Sequence, residues 1–174
     1  MTSILKVDKV QNTGGTDVLD IKSDGVILMP NRPAFQASGN AGSWVTVSNG
    51  GYSTIEFDNV ILNNGSHYSS ANDRFDAPYD GIYSFTMTMY GRLAGGQGDN
   101  TNYWGATFHI NGAATQYSSI NAYQNAGDYD QTYTQTMIVN LTANDYVQVK
   151  ARSWGTSNGE VFSNNCHFMG YLIG

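Results

Sequence analysis

FDNVILNNGSHYSSANDRFDAPYDGIYSF, residues 57–85, decides the fold of this chain. Its aromatic residues Phe57, Tyr68, Phe75, Tyr83 and Phe85 are set apart by polar spacers rich in Gly and Asn, a pattern of core anchors joined by turns. Ala77-Pro78-Tyr79-Asp80-Gly81 reads as a turn, with the φ of Pro78 preset for the second position and Gly81 closing it. Beyond it the chain alternates. Tyr83, Phe85, Met87 and Met89 fall on one side, and Ile82, Ser84, Thr86 and Thr88 on the other. A period of two predicts a strand with one face in a core.

Working outward, the rest of the chain reads the same way. Ile4–Val10, 18–22 and 26–30 are short apolar-polar runs separated by Thr13-Gly14-Gly15-Thr16 and Ser23-Asp24-Gly25, which predicts three strands and two turns. Eleven apolar residues in so short a sheet cannot all be buried within it, so this segment needs a partner surface. Met29-Pro30-Asn31-Arg32-Pro33 marks a hinge, because two prolines interrupt any continuous strand. Further strands are expected at 44–47, 52–62, 81–92, 103–110, 115–123, 132–141 and 146–151, and a last one at 167–173. Asn111-Gly112 is a hairpin turn. In 146–151, Val147, Val149 and Ala151 are the inward set. Loops are expected at 93–102, 125–131 and 155–165, and eight to ten strands make a two-sheet sandwich.

The chain has 174 residues, enough for one domain of ordinary size plus a short extension. It holds 20 Gly and 12 Tyr and is only 13% charged, which favours an all-β protein over a helical one. The net charge of −6 belongs to the part beyond residue 35, since the earlier part has as many basic as acidic groups. An acidic domain without a basic stripe excludes nucleic acid as the expected partner. The single cysteine, Cys166, cannot form an internal disulfide and reads as a small core residue. The first residues, MTSILKVDKVQN, lack the apolar run of a leader peptide, and no stretch is long enough to span a membrane, so synthesis in a cytoplasm without membrane insertion is expected.

The intervals between Phe57, Asn63, Tyr68, Phe75, Gly81, Tyr83 and Phe85 resemble the core signature of the C1q/TNF-like jelly-roll family, with Met87 where the family has Phe or Tyr. Arg32-Pro33-Ala34-Phe35 resembles that family's first strand, and His167-Phe168-Met169-Gly170-Tyr171-Leu172-Ile173 its closing strand. The resemblance implies an all-β, C1q/TNF-like jelly-roll sandwich as a head over 33–174, and three such heads around a threefold axis. Residues 1–32, the short β-rich stub before it, resemble the N-terminal segments of phage fibre and appendage proteins. That second resemblance implies a virion structural protein, made in the host cytoplasm, whose stub forms a stalk or docks on other virion proteins. Tail fibre, neck or head appendage and capsid decoration all fit it. The alternative is a cellular or secreted C1q-like module that binds carbohydrate or protein. The missing leader, the missing collagen-like Gly-x-y repeat and the stub favour the virion reading.

No nucleotide loop, triad or paired-carboxylate motif stands out, so no enzyme activity is expected. His67, His109 and His167 lack metal-ligand spacing and read as structural or surface residues. Asp128, Asp130 and Asp99 supply oxygens of the kind calcium takes, and some C1q-like proteins bind calcium near the trimer apex. The loop lacks EF-hand spacing, however, and no cofactor beyond that candidate is expected. The loops after residue 92 are rich in aromatic and amide groups: Trp104, Tyr123, Tyr129 and Trp154 are candidate ligand-binding residues, with Tyr129 and Trp154 stacking on the sugars of a host surface polysaccharide. The competing expectation is that Trp104 and Trp154 cap the sandwich core and the tyrosines line the trimer interface.

Overall fold

The structure, a computed structural model, describes residues 6–40, 42–94, 103–123 and 130–174, with the backbone alone for 116–123. The stub is a three-stranded antiparallel meander of β1 (Lys9–Gln11), β2 (Asp17–Ile21) and β3 (Ile27–Leu28). Both its turns are built alike. Gly15 N–H donates to the Asn12 carbonyl and Gly25 N–H to the Lys22 carbonyl, and each glycine is left-handed, at φ 79° and 86°. A type I turn followed by a left-handed residue is the usual three-residue hairpin connection, and glycine takes that residue without strain. The strands are shorter than the alternation predicts, and Val10, Val18, Ile27, Leu28 and Met29 remain exposed.

Pro30 and Arg32, in the segment expected to be a hinge, are tied to the head by side-chain bonds. Asn64 donates to the carbonyls of Pro30 (2.9 Å) and Arg32 (2.6 Å), and the Arg32 guanidinium donates to the Ile173 carbonyl.

The head is a two-sheet sandwich. In the first sheet the order is β5 (Trp44–Val47), β15 (Gly159–Phe162), β10 (Gly81–Leu93), β16 (His167–Leu172), β4 (Ala34–Ser38), β7 (Asn59–Asn64), with β13 (Gln131–Leu141) paired along β10. In the second the order is β12 (Ala113–Tyr123), β11 (Tyr103–Ile110), β14 (Tyr146–Trp154), β9 (Arg74–Asp76), β8 (Tyr68–Ser69), with β6 (Ser53–Thr54) also on β14. The expected hairpin turn is present, with Asn111 and Gly112 both at positive φ, 51° and 82°. Thirteen strands are described in the head, more than the eight to ten expected. Three come from stretches where none was expected: β8 and β9 in the polar spacers, and β15 inside the supposed loop 155–165. The expected strand 52–62 is divided into β6 and β7.

The core lies between the sheets. Tyr83, Phe85, Met87 and Met89 are fully buried, as are Val147, Val149 and Ala151, so both alternations hold. Ser84, assigned to the outer side, is nevertheless buried at 7% exposure, because its neighbours on the adjoining strands are Ile138 and Tyr171.

The spaced residues of the quoted stretch have identifiable work. Phe35 stacks on Tyr68 and Phe75 (centroids 4.8 and 5.1 Å) and meets Phe168 edge-on. Asn63 donates to the Tyr68 carbonyl (2.8 Å) and accepts from the Tyr68 amide (3.0 Å), using both ends of its carboxamide. The hydroxyls of Tyr68 and Tyr83 donate to the carbonyls of Phe57 and Tyr79. Gly81 opens β10 rather than closing a turn at positive φ. Its need for hydrogen comes from the last strand, since a β-carbon there would lie 2.8 Å from Leu172 Cδ1.

Candidate functional site

Strand β14 places Gln148, Lys150, Arg152 and Trp154 in one outward row, because its alternate residues are buried. Tyr103 is directly opposite Trp154 on β11 and stacks on it at 4.4 Å and 17°. The Arg152 guanidinium carbon lies 3.6 Å from the centroid of the same indole. Two flat groups this close to one ring must occupy opposite faces, so a sugar stacked on Trp154 would have to displace one of them. Arg152 also lies over Tyr52, at 4.7 Å, and Tyr52 meets His109 edge-on at 4.5 Å. His109 is buried. Its Nδ1 donates to the Gly112 carbonyl (3.0 Å), which leaves Nε2 as an acceptor without a donor. Burial first, and then the charges of Lys150 and Arg152, hold this imidazole below its usual range.

The loop beyond Trp154 is pinned. Asn49 donates to the Gly155 carbonyl (2.7 Å) and its amide to Asn158 Oδ1 (3.1 Å), while the Ser153 hydroxyl donates to the Ser157 carbonyl (2.8 Å). Gly155 sits at φ 98°, a conformation that favours glycine.

The other expected site residues fall elsewhere. Trp104 is fully buried, its indole against Gly91 and its Cβ against Gly159, so it belongs to the core and is out of reach of an external ligand. Of the calcium candidates, Asp130 is engaged by the Tyr90 hydroxyl (2.5 Å) and stands 3.8 Å from Arg92, which also pairs with Glu160 (2.9 Å). Asp99, Asp128 and Tyr129 lie outside the described residues, as does the side chain of Tyr123. Among the described residues no group of three His, Cys, Asp or Glu side chains is placed to hold a metal ion. Nor is any helix there long and apolar enough to cross a membrane. Cys166 is buried, with its thiol pushed up to about 11 by burial. Lys150, Arg152 and Tyr52 were missed by the sequence reading. The alternation of 146–151 already implied that Lys150 faces outward, but the meeting of Arg152 with Tyr52 is a long-range contact.

A second surface is the outer face of the first sheet. Ile138, Ser84, Tyr171 and Ala34 form one row across four strands. Thr136, Thr86, Met169, Gln36 and Leu62 form the next. The threonine hydroxyls of this row bond across the strands (2.9 Å), and those of Thr88 and Thr134 do so at 3.0 Å. Ile138 is 68% exposed, and Leu62 and Tyr171 are about half exposed. Neither row holds a charged residue, which is unusual for a solvated face and common at the centre of an interface.

A jelly-roll sandwich with two charge-free rows on one outer face and an aromatic-cationic strip on the other has the character of a binding module. The profile of the C1q domain matches residues 34–173, and the chain belongs to that family. Among solved structures it is similar to the globular domain of zebrafish complement 1qA protein: TM-score 0.55, 12% identity, 82% of this chain and 98% of that one covered. It is also similar to Eiger TNF from S. frugiperda: TM-score 0.57, 12% identity, 83% and 94% covered. At such identities the likeness is one of fold.

Proposed function

We propose that the protein is a homotrimeric virion component of a phage, an appendage, fibre or decoration protein, whose head binds a host surface glycan. The carrying observation for the trimer is the pair of charge-free rows on the outer face of the first sheet, where Ile138, Tyr171 and Leu62 are exposed. A second and third copy would cover it, in keeping with the threefold packing common among C1q-like heads. The uncovered apolar residues of the stub support its role in docking on other virion proteins. The β14 row, on the other sheet of the sandwich, then remains free for a ligand.

Deleting residues 1–30 tests the docking role. The account expects the remaining head to fold and to be absent from assembled particles. Incorporation of the shortened chain at normal copy number would contradict it.

A further inference from the structure

We propose that Arg152 and Lys150 form a subsite for the carboxylate of an acidic sugar, so that the polymer taken by the head is a polyuronate or sialic-acid type. The inference rests on the reading of the head as a glycan-binding module and names the class of glycan.

The head is acidic, and its other cations are already engaged. Arg74 pairs with Asp76 (3.0 Å), and Arg92 with Glu160 and Asp130. Among the described residues Lys150 and Arg152 have no acid and no hydrogen-bond acceptor, and the Nε of Arg152 is buried beside the rings it packs on, so the far end of the guanidinium is the part that can meet a ligand.

The geometry says what kind of oxygen. The guanidinium is held against the faces of Trp154 and Tyr52, which fixes its plane and leaves its N–H edge as the bonding surface. A fixed planar fork matches a planar carboxylate, which can take two parallel bonds from it. Lys150, two positions along the same outward row and about 7 Å away, adds a second positive charge. Tyr52, 40% exposed beside the guanidinium, offers apolar surface for a sugar ring. The net charge of −6 does not defeat this, because at physiological salt charges beyond about 8 Å are largely screened.

The test is binding of the full chain to oligogalacturonate, hyaluronan and oligosialate fragments, each beside its carboxyl-reduced neutral form, by calorimetry. At least one acidic fragment should bind, with its neutral form weaker by roughly tenfold or more, the scale of one charge-assisted bond. Arg152→Lys keeps the charge but not the fork, and Lys150→Gln has no stacked ring to lose. Each should weaken the acidic fragment, Lys150→Gln with an unchanged melting temperature and Arg152→Lys with the chain still folded, and added salt should weaken it too. Binding of acidic and neutral forms alike, binding unaffected by both substitutions, or binding of none of the acidic fragments overturns the inference. Adsorption to host cells separates the two readings. Adsorption that survives Arg152→Lys and Lys150→Gln leaves a glycan-binding head without this subsite, whereas no adsorption by the unaltered chain removes the glycan-binding reading itself.

Discussion

Gly170 and Phe85 are cross-strand partners, and a β-carbon at position 170 would stand 2.4 Å from Cδ1 of Phe85. Phe35 is the partner of Gly170 on its other side, and its Cε1 would be 2.9 Å away. The two rings therefore close over a glycine in the middle strand, and their contact with Phe168 and Phe75 depends on that absence of a side chain. Gly170→Ala should destabilise the head by about 1–3 kcal/mol, the range for overfilling a packed core. Thermal denaturation measures it. An unchanged melting temperature would mean that the rings have room to move.

Phe85→Ala removes a fully buried ring that lies within reach of Phe35, Phe75, Tyr83 and Phe168. The expected loss is about 3–5 kcal/mol, the usual cost of deleting a core phenylalanine. Denaturant unfolding should show a lower midpoint with little change in slope.

Asp73 gives a pH dependence of unusual direction. Burial, with repulsion from Asp58 and Glu56, raises its carboxyl from 3.8 to about 6, against the pull of the Phe57 amide that donates to Oδ1 (2.9 Å). Between those values the folded chain holds a proton that the unfolded chain has lost. This group's contribution to stability therefore falls as the pH rises from about 4 to about 6, and is level above that. Asp73→Asn keeps the acceptor oxygen, tolerates the positive φ of 48° and removes the titration. It should flatten that part of the stability profile and stabilise the protein at pH 7. An identical slope in the variant would assign the dependence to another group.

Ile138→Glu places a charge on β13, at the end of one charge-free row of the sheet face. With 68% of Ile138 exposed, the folded single chain should lose little stability. Association should fall sharply, because an unpaired charge would be buried between copies. Sedimentation of the variant beside the unaltered chain reads the difference.

What was legible in the sequence was what repeats locally. The alternation of Tyr83 to Met89, the inward set Val147, Val149 and Ala151, and the Asn111-Gly112 turn depend on neighbours in the chain, and all three have their expected form. Features that depend on distant neighbours were not legible. Gly159-Glu160-Val161-Phe162 has the flanks of a loop, yet it is a strand, pairing with β10 on one side and β5 on the other. The requirement for glycine at 170 comes from rings on two other strands. Trp154 was singled out for its type and flanking loop, but Tyr103 and Arg152 occupy its faces, and only the folded sheet brings Tyr52 to the same guanidinium.

The mass of the full chain in solution, by light scattering at micromolar concentration, tests the account most directly. A jelly-roll head whose outer sheet face is covered by its own copies should give three times the 18.9 kDa of one chain, and should keep that mass on dilution. A stable monomer of 18.9 kDa would contradict the account, leaving Ile138, Tyr171 and Leu62 exposed for a reason other than self-assembly.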